Sequence, residues 1–384
     1  MEPAHAGSLL TYLSQVPDPR GRQGRRYSLS AMLTTVVCSL LCGARGYEGV
    51  VEWLHDLPVD IWHWMGFTRR PPRKEAFRDL LIKLDPAELD RVLQQWVVTD
   101  LGLPDETKTL VGISIDGKCL CVTVSPSAKA VHLQAAVDHQ TGYVLSQTRV
   151  DEKTNEHKGA LELLKNLVLK GRVVVGEAMF CQREVCDQVL DAEGDYLIAV
   201  KGNQPNLQRK IELEFTAAPA AVSPHAQQQR AAEQQTAHTV DQGHGRLEKR
   251  TMTTTTSLNN HVKWPGVKQV CRVVRERTKH GQREVETAYD LSSLSRDRAN
   301  AAPLLALVRD HWGAIENGVH HVRDTTFEED RCTIFRGHAP RNLAALRNTA
   351  LNWNRRMKTV NLAATTRSFT RQSLRLFTKL DFVN

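Results

Sequence analysis

Two acidic side chains directly follow apolar stretches that have the composition of buried strands. Asp116 comes after Leu110–Ile115, and Glu177 comes after Arg172–Gly176. A carboxylate at the end of a core strand is costly unless it is paired or binds a metal ion. Carboxylate oxygens are the hard ligands that Mg²⁺ prefers. The two acids therefore indicate a divalent-metal site, and the alternative for Asp116 is an ordinary Asp-Gly turn after a strand.

The elements around these acids follow a regular order. After the strand that is predicted to end at Asp116 come strands at 131–137 and 143–147, a helix beginning at Thr154 or Asn155, a strand at 172–177, a helix at Arg183–Leu190 and a strand at Tyr196–Val200. Short links make the first three strands antiparallel. A right-handed crossover then places the fourth strand beside the first, so Asp116 and Glu177 meet. This is a ribonuclease H-like α/β arrangement with a mixed sheet, which holds two divalent ions for phosphodiester chemistry.

A two-metal site of this kind needs a further acid from a late helix. One ion lowers the pKa of the attacking water or 3′-hydroxyl, and the other stabilises the leaving oxygen. Position alone leaves the third ligand open among Glu316, Asp324, Glu328, Glu329 and Asp330.

The charge balance favours a polyanionic partner such as nucleic acid, because the formal net charge of the chain is +8. Two basic loops in the N-terminal region are predicted to contact DNA phosphates, with a solvated loop as the alternative for the first. The arginines concerned are Arg20, Arg22, Arg25 and Arg26 in the first loop and Arg69 and Arg70 in the second.

Cysteine usage and hydropathy argue against zinc modules and membrane spans. The chain has eight cysteines, but no CxxC pair occurs, so zinc-finger spacings are absent. Reduced, mostly buried cysteines in a cytoplasmic protein are the expected case. The longest apolar run, Leu29–Ala44, is interrupted by polar residues and is better explained as a buried helix, and no signal-peptide pattern is visible.

Composition divides the chain into four parts. Residues 1–105 are predicted to be a helical N-terminal DNA-binding region, 106–205 the first part of the ribonuclease H-like core, 206–295 a β-rich insertion, and 296–384 the helical C-terminal part of the core with the last acid and a basic tail. Strand-like pieces of the insertion are 246–255, 267–275 and 285–291, and the Ala- and Gln-rich stretch 217–239 is predicted to be turn-prone. In the last part, a helix at Asn342–Arg356 is predicted to point Arg347, Arg355 and Arg356 outward.

Several short stretches, in the same order, carry a resemblance to a known family. They are Pro17–Arg20, Ile115–Lys118, Asp138–Gly142, Asp151–Glu156, Ala178–Arg183, Lys201–Pro205, His244–Arg246 and His311–Asn317. Each is weak alone, but the ordered set covers nearly the whole chain and is specific. The chain resembles bacterial insertion-sequence transposases of the DDE class, in the H-repeat-associated (Rhs-linked) group.

The resemblance implies a ribonuclease H-like core with a helical DNA-binding region before it and a β insertion before the last acid. Carried over by position, Asp116, Glu177 and Glu316 are the catalytic and metal-binding acids, with two Mg²⁺ or Mn²⁺ ions. The chain departs from the family pattern twice, because Glu177 replaces an aspartate and Ala314 looks like one extra residue between Gly313 and Ile315.

Further side chains are predicted to contact DNA or phosphate. These are Lys118, Lys201, Asn203, Gln204 and Arg246. For Lys118 and Lys201 the alternative is a charge partner for nearby acids. His311, His320 and His321 are candidates for holding the scissile phosphate or moving a proton, with packing roles as the alternative.

The sequence therefore predicts a DNA transposase that cleaves phosphodiester bonds and transfers strands at the ends of an insertion sequence. The predicted partners are double-stranded DNA of the element ends and the target, with a homodimer on DNA implied by the resemblance and no membrane. The predicted location is the bacterial cytoplasm, with action at the nucleoid. The alternatives are a catalytically impaired or inactive DNA-binding relative, motivated by Glu177, and a structure-specific nuclease without strand joining.

Overall fold

The computed structural model describes residues 6–102, 110–120, 131–150, 156–216, 233–243 and 245–379. Some predicted features lie outside these residues: the helix start at Thr154 or Asn155, most of the Asp151–Glu156 stretch, His244, residues 217–232 and the boundary at 105. The chain forms two compact units, and each is described separately below.

The first unit comprises Met1–Pro104, Gly117–Lys153 and Ile315–Asn384. Its N-terminal helices are Ala6–Leu13, Leu29–Leu41, Tyr47–His55, Val59–Trp64, Lys74–Lys83 and Pro86–Trp96, followed by a π-helical segment at Val97–Gly102. Its later helices are His321–Thr325, Ala339–Arg356, Leu362–Arg371 and Leu374–Lys379. The helical N-terminal region that the sequence predicts is therefore present.

The helix Leu29–Leu41 is at the centre of this unit. Ser28 caps its N-terminus, because the Ser28 hydroxyl accepts a hydrogen bond from the Ala31 amide. Apolar residues on all its sides are buried, and it packs against the helix Ala339–Arg356. A helix buried all round is a core element. None of the described helices is long and apolar enough to cross a membrane.

The second unit comprises Asp105–Asp116 and Thr154–Ala314. Its helices are Glu156–Lys165, Arg183–Asp191, Pro205–Phe215 and Ala301–His311. The last of these covers one face of the sheet, where Leu304 and Leu305 join a buried cluster with Val173, Val175 and Leu197. This cluster is the core on which the strands that carry the acids are fixed.

The strands form one mixed sheet. They are β1 (Val111–Leu120), β2 (Val131–Asp138), β3 (Val144–Val150), β4 (Arg172–Gly176), β5 (Asp195–Val200), β6 (Gln235–Gly243), β7 (Arg246–Thr255), β8 (Gln269–Lys279) and β9 (Gln282–Ser292), in the order β3-β2-β1-β4-β5-β9-β8-β7-β6. β1 pairs with β4 and β4 with β5 in parallel, whereas β2–β3 and the strands from β5 through β9 to β6 pair antiparallel. In this order β4 lies beside β1.

Three local predictions are wrong. β1 does not stop at Asp116 but continues through Gly117 to Leu120. Pairing with a neighbouring strand keeps Gly117 extended and overrides the preference of the Asp-Gly pair for a turn. The stretch 217–239, predicted to be turn-prone, includes the first residues of β6. They form a strand because every residue of β6 pairs with β7. The C-terminal helix buries Arg347, whose exposed fraction is 2%, instead of pointing it outward.

The buried Arg347 has a specific partner. Glu329 accepts hydrogen bonds from the guanidinium groups of Arg323 and Arg347, and all three side chains are almost completely buried. An arginine can be buried when a carboxylate neutralises it and satisfies its donors. The pairing partner, and not the amphipathic pattern of the helix, therefore decides the direction of Arg347.

Candidate active site

The first two predicted acids follow neighbouring strands. Ile115 of β1 is in register with Gly176 of β4, so Asp116 and Glu177 come directly after the last pair of two parallel strands. Asp116 is buried, with 8% of its surface exposed, and Glu177 is half-buried. Parallel pairing thus brings the backbones of these two acids side by side.

The backbone around Glu177 is tightly enclosed. A Cβ atom at Gly176 would lie 3.0 Å from both Ile115 Cγ1 and Phe180 Cδ2, so a larger residue there would force a shift. After Glu177 the chain forms a 3₁₀ turn, Ala178–Phe180, in which the Phe180 amide donates to the Glu177 carbonyl. The fully buried Phe180 ring anchors this turn in the core.

Glu316 lies in a π-helical segment, Trp312–His320, that follows the helix Ala301–His311. A π-helical turn holds one residue more than an α-helical turn, and such turns are frequent at functional sites. The segment therefore accommodates Ala314, the residue that looks extra. Ile315 and Val319 remain buried, and the Glu316 side chain keeps 40% exposure.

His320 lies one turn after Glu316. Its Nδ1 atom is 3.6 Å from Glu316 Oε2, and its side chain is only 8% exposed. In sequence this histidine was one of three candidates with no preference among them. The signal that distinguishes it is its spacing of four residues from Glu316, which places both side chains on the same side of a helix.

Glu316 and His320 offer a carboxylate and an imidazole close together in the first unit. Carboxylates suit Mg²⁺ and Mn²⁺, and imidazole is a common ligand of transition metals. In the second unit, Asp116 and Glu177 follow neighbouring parallel strands. Each of the two pairs has the donor chemistry that a divalent cation requires.

His311 has a structural partner. Its Nδ1 atom is 2.9 Å from the Ser114 hydroxyl, and both residues are buried. Ser114 lies two positions before Asp116 on β1, so the two side chains share one face of the sheet. His311 thus packs against the strand that carries the first acid.

A cavity in the second unit lies next to Glu177. Its lining includes Glu177, Lys201 and Asp290, with an apolar floor and three arginines, Arg250, Arg275 and Arg309. Asp290 is buried, and its Oδ2 atom has no hydrogen-bond partner among the residues that the structure describes. Burial raises the pKa of Asp290 to about 7, against an opposing effect of the Lys201 charge. Lys201 is thus a charge partner of a buried acid.

We expect Asp290→Asn to stabilise the protein at pH 8. The folded-state pKa of Asp290 lies above its ordinary value of 3.8, so the buried carboxylate lowers stability increasingly as the pH rises from about 4 to about 7. The gain at pH 8 should be at least about 1 kcal/mol, since one pKa unit corresponds to about 1.4 kcal/mol. Urea unfolding at pH 8 and pH 4 measures it. An equal effect at both pH values would contradict the assignment.

The predicted DNA contacts divide into exposed and internally bonded side chains. Arg22, Arg26, Arg69, Arg70 and Arg246 are exposed. Arg25 is exposed as well, but its guanidinium donates to the Arg20 and Asp18 carbonyls. The guanidinium of Arg20 instead donates to the Asp18 carboxylate and the Tyr27 carbonyl, and its side chain is only 9% exposed. Lys118 Nζ lies 2.6 Å from Asp324 Oδ1, and the Lys118 side chain is only 10% exposed. Lys118 is therefore a charge partner of an acid, which was the alternative to a phosphate contact. The Asn203 amide donates to the Ala178 carbonyl.

In comparisons with known proteins, two family models match most of the chain. The family model described as "Transposase DDE domain" matches residues 109–353, and one described as "DDE_Tnp_1-associated" matches residues 10–97. YncI of Escherichia coli O157:H7 is 27% identical over 92% of this chain and 88% of its own length. YhhI of Escherichia coli K12 is 27% identical over 90% of this chain and 89% of its own length. Both are named provisionally as transposases, YhhI as H repeat-associated.

One solved structure is also similar, at a low level. It is the piggyBac transposase synaptic complex with hairpin DNA, with a TM-score of 0.38, 11% identity, and coverage of 98% of this chain and 83% of that chain.

Proposed function

Because the chain belongs to the transposase DDE domain family, we propose that it cuts DNA phosphodiester bonds at insertion-sequence ends and joins those ends to target DNA. The observation that carries the proposal is the pair of acids Asp116 and Glu177, which follow neighbouring parallel strands within this family domain. The order β3-β2-β1-β4-β5, with β1, β4 and β5 parallel, supports a ribonuclease H-like core.

The proposed roles follow from the donor chemistry of each side chain. Asp116, Glu177 and Glu316 would hold two Mg²⁺ or Mn²⁺ ions, which when bound lower the pKa of the attacking water or 3′-hydroxyl and stabilise the leaving oxygen. His320 adds an imidazole close to the Glu316 carboxylate, where it can hold that carboxylate in place or accept a proton. Burial of Asp116 and His320 limits competing contacts with water.

The proposed DNA contacts are the exposed cations. In the N-terminal part these are Arg22, Arg25, Arg26, Arg69 and Arg70, of which Arg25 also donates to two backbone carbonyls. Arg246 is exposed at the start of β7. Contacts of such side chains with phosphate are insensitive to sequence but weaken steeply with salt. We propose double-stranded DNA of the element ends and the target as the partner, a homodimer on that DNA, and a bacterial cytoplasmic location at the nucleoid.

Cleavage of DNA that carries the ends of the element encoding this chain tests the proposal. With Mg²⁺ or Mn²⁺ we expect cleavage at the element ends and joining of the new 3′-ends to a target plasmid, and with EDTA neither reaction. Metal-dependent cleavage without joining would indicate a structure-specific nuclease instead. Absence of cleavage with both metals would contradict the enzyme proposal for the chain as it stands.

A catalytically impaired DNA-binding relative is the second candidate, and Glu177 is the observation that favours it. Glutamate replaces the aspartate of the family pattern, and its carboxylate is one bond further from the backbone than that of aspartate. Mg²⁺ demands near-ideal octahedral geometry, so one additional methylene matters. DNA binding without cleavage by the natural chain, together with cleavage by Glu177→Asp, would select this alternative.

A further inference from the structure

The turn that follows Glu177 is held from outside by a second loop. The Ala178 carbonyl accepts a hydrogen bond from the Asn203 side-chain amide, and the Cys181 carbonyl accepts one from the Gln204 side-chain amide at 3.0 Å. Both donors belong to the loop between β5 and the helix Pro205–Phe215. Two adjacent amides thus bind two backbone carbonyls, one in the first residue of the 3₁₀ turn and one directly after its last residue.

The loop that carries these amides is itself anchored. The Gln204 backbone amide donates to the Lys201 carbonyl at 2.9 Å, which closes a turn. Pro205 then occupies the start of the helix, where its fixed φ is favourable. Leu207 and Ile211 of this helix are buried. The amides are therefore presented from a rigid support, as a positioning group requires.

Building on the proposed role of Glu177 as a metal ligand, we propose that Asn203, assisted by Gln204, is a positioning residue that fixes the backbone of Glu177. A glutamate carboxylate is one bond further from its backbone than an aspartate carboxylate. Its location therefore depends on how firmly that backbone is held. Gly176 and Phe180 restrict it from the core side, and the two amides restrict it from the loop side.

This assignment differs from the DNA contact predicted for Asn203. The Asn203 side-chain amide donates one Nδ2 proton to the Ala178 carbonyl, so this amide is bound to the turn after Glu177. Residues that orient metal ligands typically contribute about 10–100-fold to metal affinity or activity. A displacement of about 1 Å at a catalytic group can likewise cost about a hundredfold in rate. A side chain with no direct contact with metal or DNA can thus have a large catalytic effect.

Asn203→Asp tests the inference, because aspartate has the size of asparagine but no donor for the Ala178 carbonyl. We expect the Mn²⁺ affinity, measured by calorimetry on the full chain, to fall about tenfold or more, and cleavage to slow in parallel. The DNA affinity should not change. The matched control is Asn206→Asp, the same replacement at an exposed position in the first turn of the helix Pro205–Phe215, which should leave all three quantities unchanged.

Other outcomes decide against the inference. Weaker DNA binding with unchanged Mn²⁺ affinity would make Asn203 a DNA contact, and no change in any quantity would exclude a positioning role. If thermal unfolding shows that Asn203→Asp does not fold, Gln204→Glu decides in the same assays, because it removes the donor to Cys181. We expect reduced Mn²⁺ affinity there as well, and an unchanged value would overturn the inference.

Glu177→Ala separates this inference from the proposed function. If Glu177→Ala lowers the Mn²⁺ affinity and Asn203→Asp does not, only the positioning role fails. If Glu177→Ala leaves Mn²⁺ binding and cleavage unchanged, Glu177 is not a ligand, and both proposals for this acid are overturned.

Discussion

Asp116→Asn is expected to abolish metal-dependent cleavage while leaving DNA binding intact. Asp116 is buried and adjoins Glu177 through the parallel pairing of β1 with β4. Asparagine keeps the volume of the buried side chain but removes the charge that attracts a divalent cation. Loss of correct geometry at one such group costs about a hundredfold in rate or more.

Single-turnover cleavage of end DNA measures the expected loss, and a gel-shift titration measures the DNA affinity. Asp187→Asn is the matched control, because Asp187 is exposed on the helix Arg183–Asp191 of the same unit, and its replacement should change neither quantity. Cleavage by Asp116→Asn at the natural rate would remove Asp116 from the site. A parallel loss of DNA affinity would instead show that Asp116 stabilises the fold and has no specific role in cleavage.

The strand framework could be predicted from the sequence because its causes are local or general. β4 is a continuous apolar run that requires burial on both faces, and right-handed crossover geometry leaves few places for it besides the neighbourhood of β1. The pairing of Ile115 with Gly176 follows from these constraints. The exact end of β1 does not, because pairing with a neighbouring strand extends it beyond Asp116 and Gly117.

The candidate site was less predictable, since partners distant in sequence decide it. His320 gains significance from its contact with Glu316, four positions earlier. That spacing is visible in the sequence, but the π-helical form of Trp312–His320 is not. Lys118 looks like a phosphate contact beside an acid, yet Asp324, more than two hundred positions away, binds its ammonium group. Charged residues are the hardest to assign because an ion pair between distant residues leaves no periodic signal.

Arg347 illustrates the same limit and leads to the second large effect, on stability. It was predicted to face solvent, but it shares the buried Glu329 with Arg323. Glu329→Gln should therefore cost about 3–5 kcal/mol of unfolding free energy at pH 7, because it leaves two buried guanidinium groups without their counter-charge. Urea unfolding of the natural chain and the variant measures the difference.

The pH dependence supplies an independent test of this pairing. Burial raises the pKa of Glu329, but the charges of Arg323 and Arg347 outweigh burial and lower it to about 2, from an ordinary value of 4.5. Its stabilisation is therefore fully present above about pH 4.5 and is lost as the pH falls towards 2. The difference between Glu329→Gln and the natural chain should shrink over this window. Glu88→Gln, which removes an exposed partner of Arg91, should cost no more than about 1 kcal/mol and serves as the control. A small, pH-independent effect of Glu329→Gln would contradict a charged buried triad.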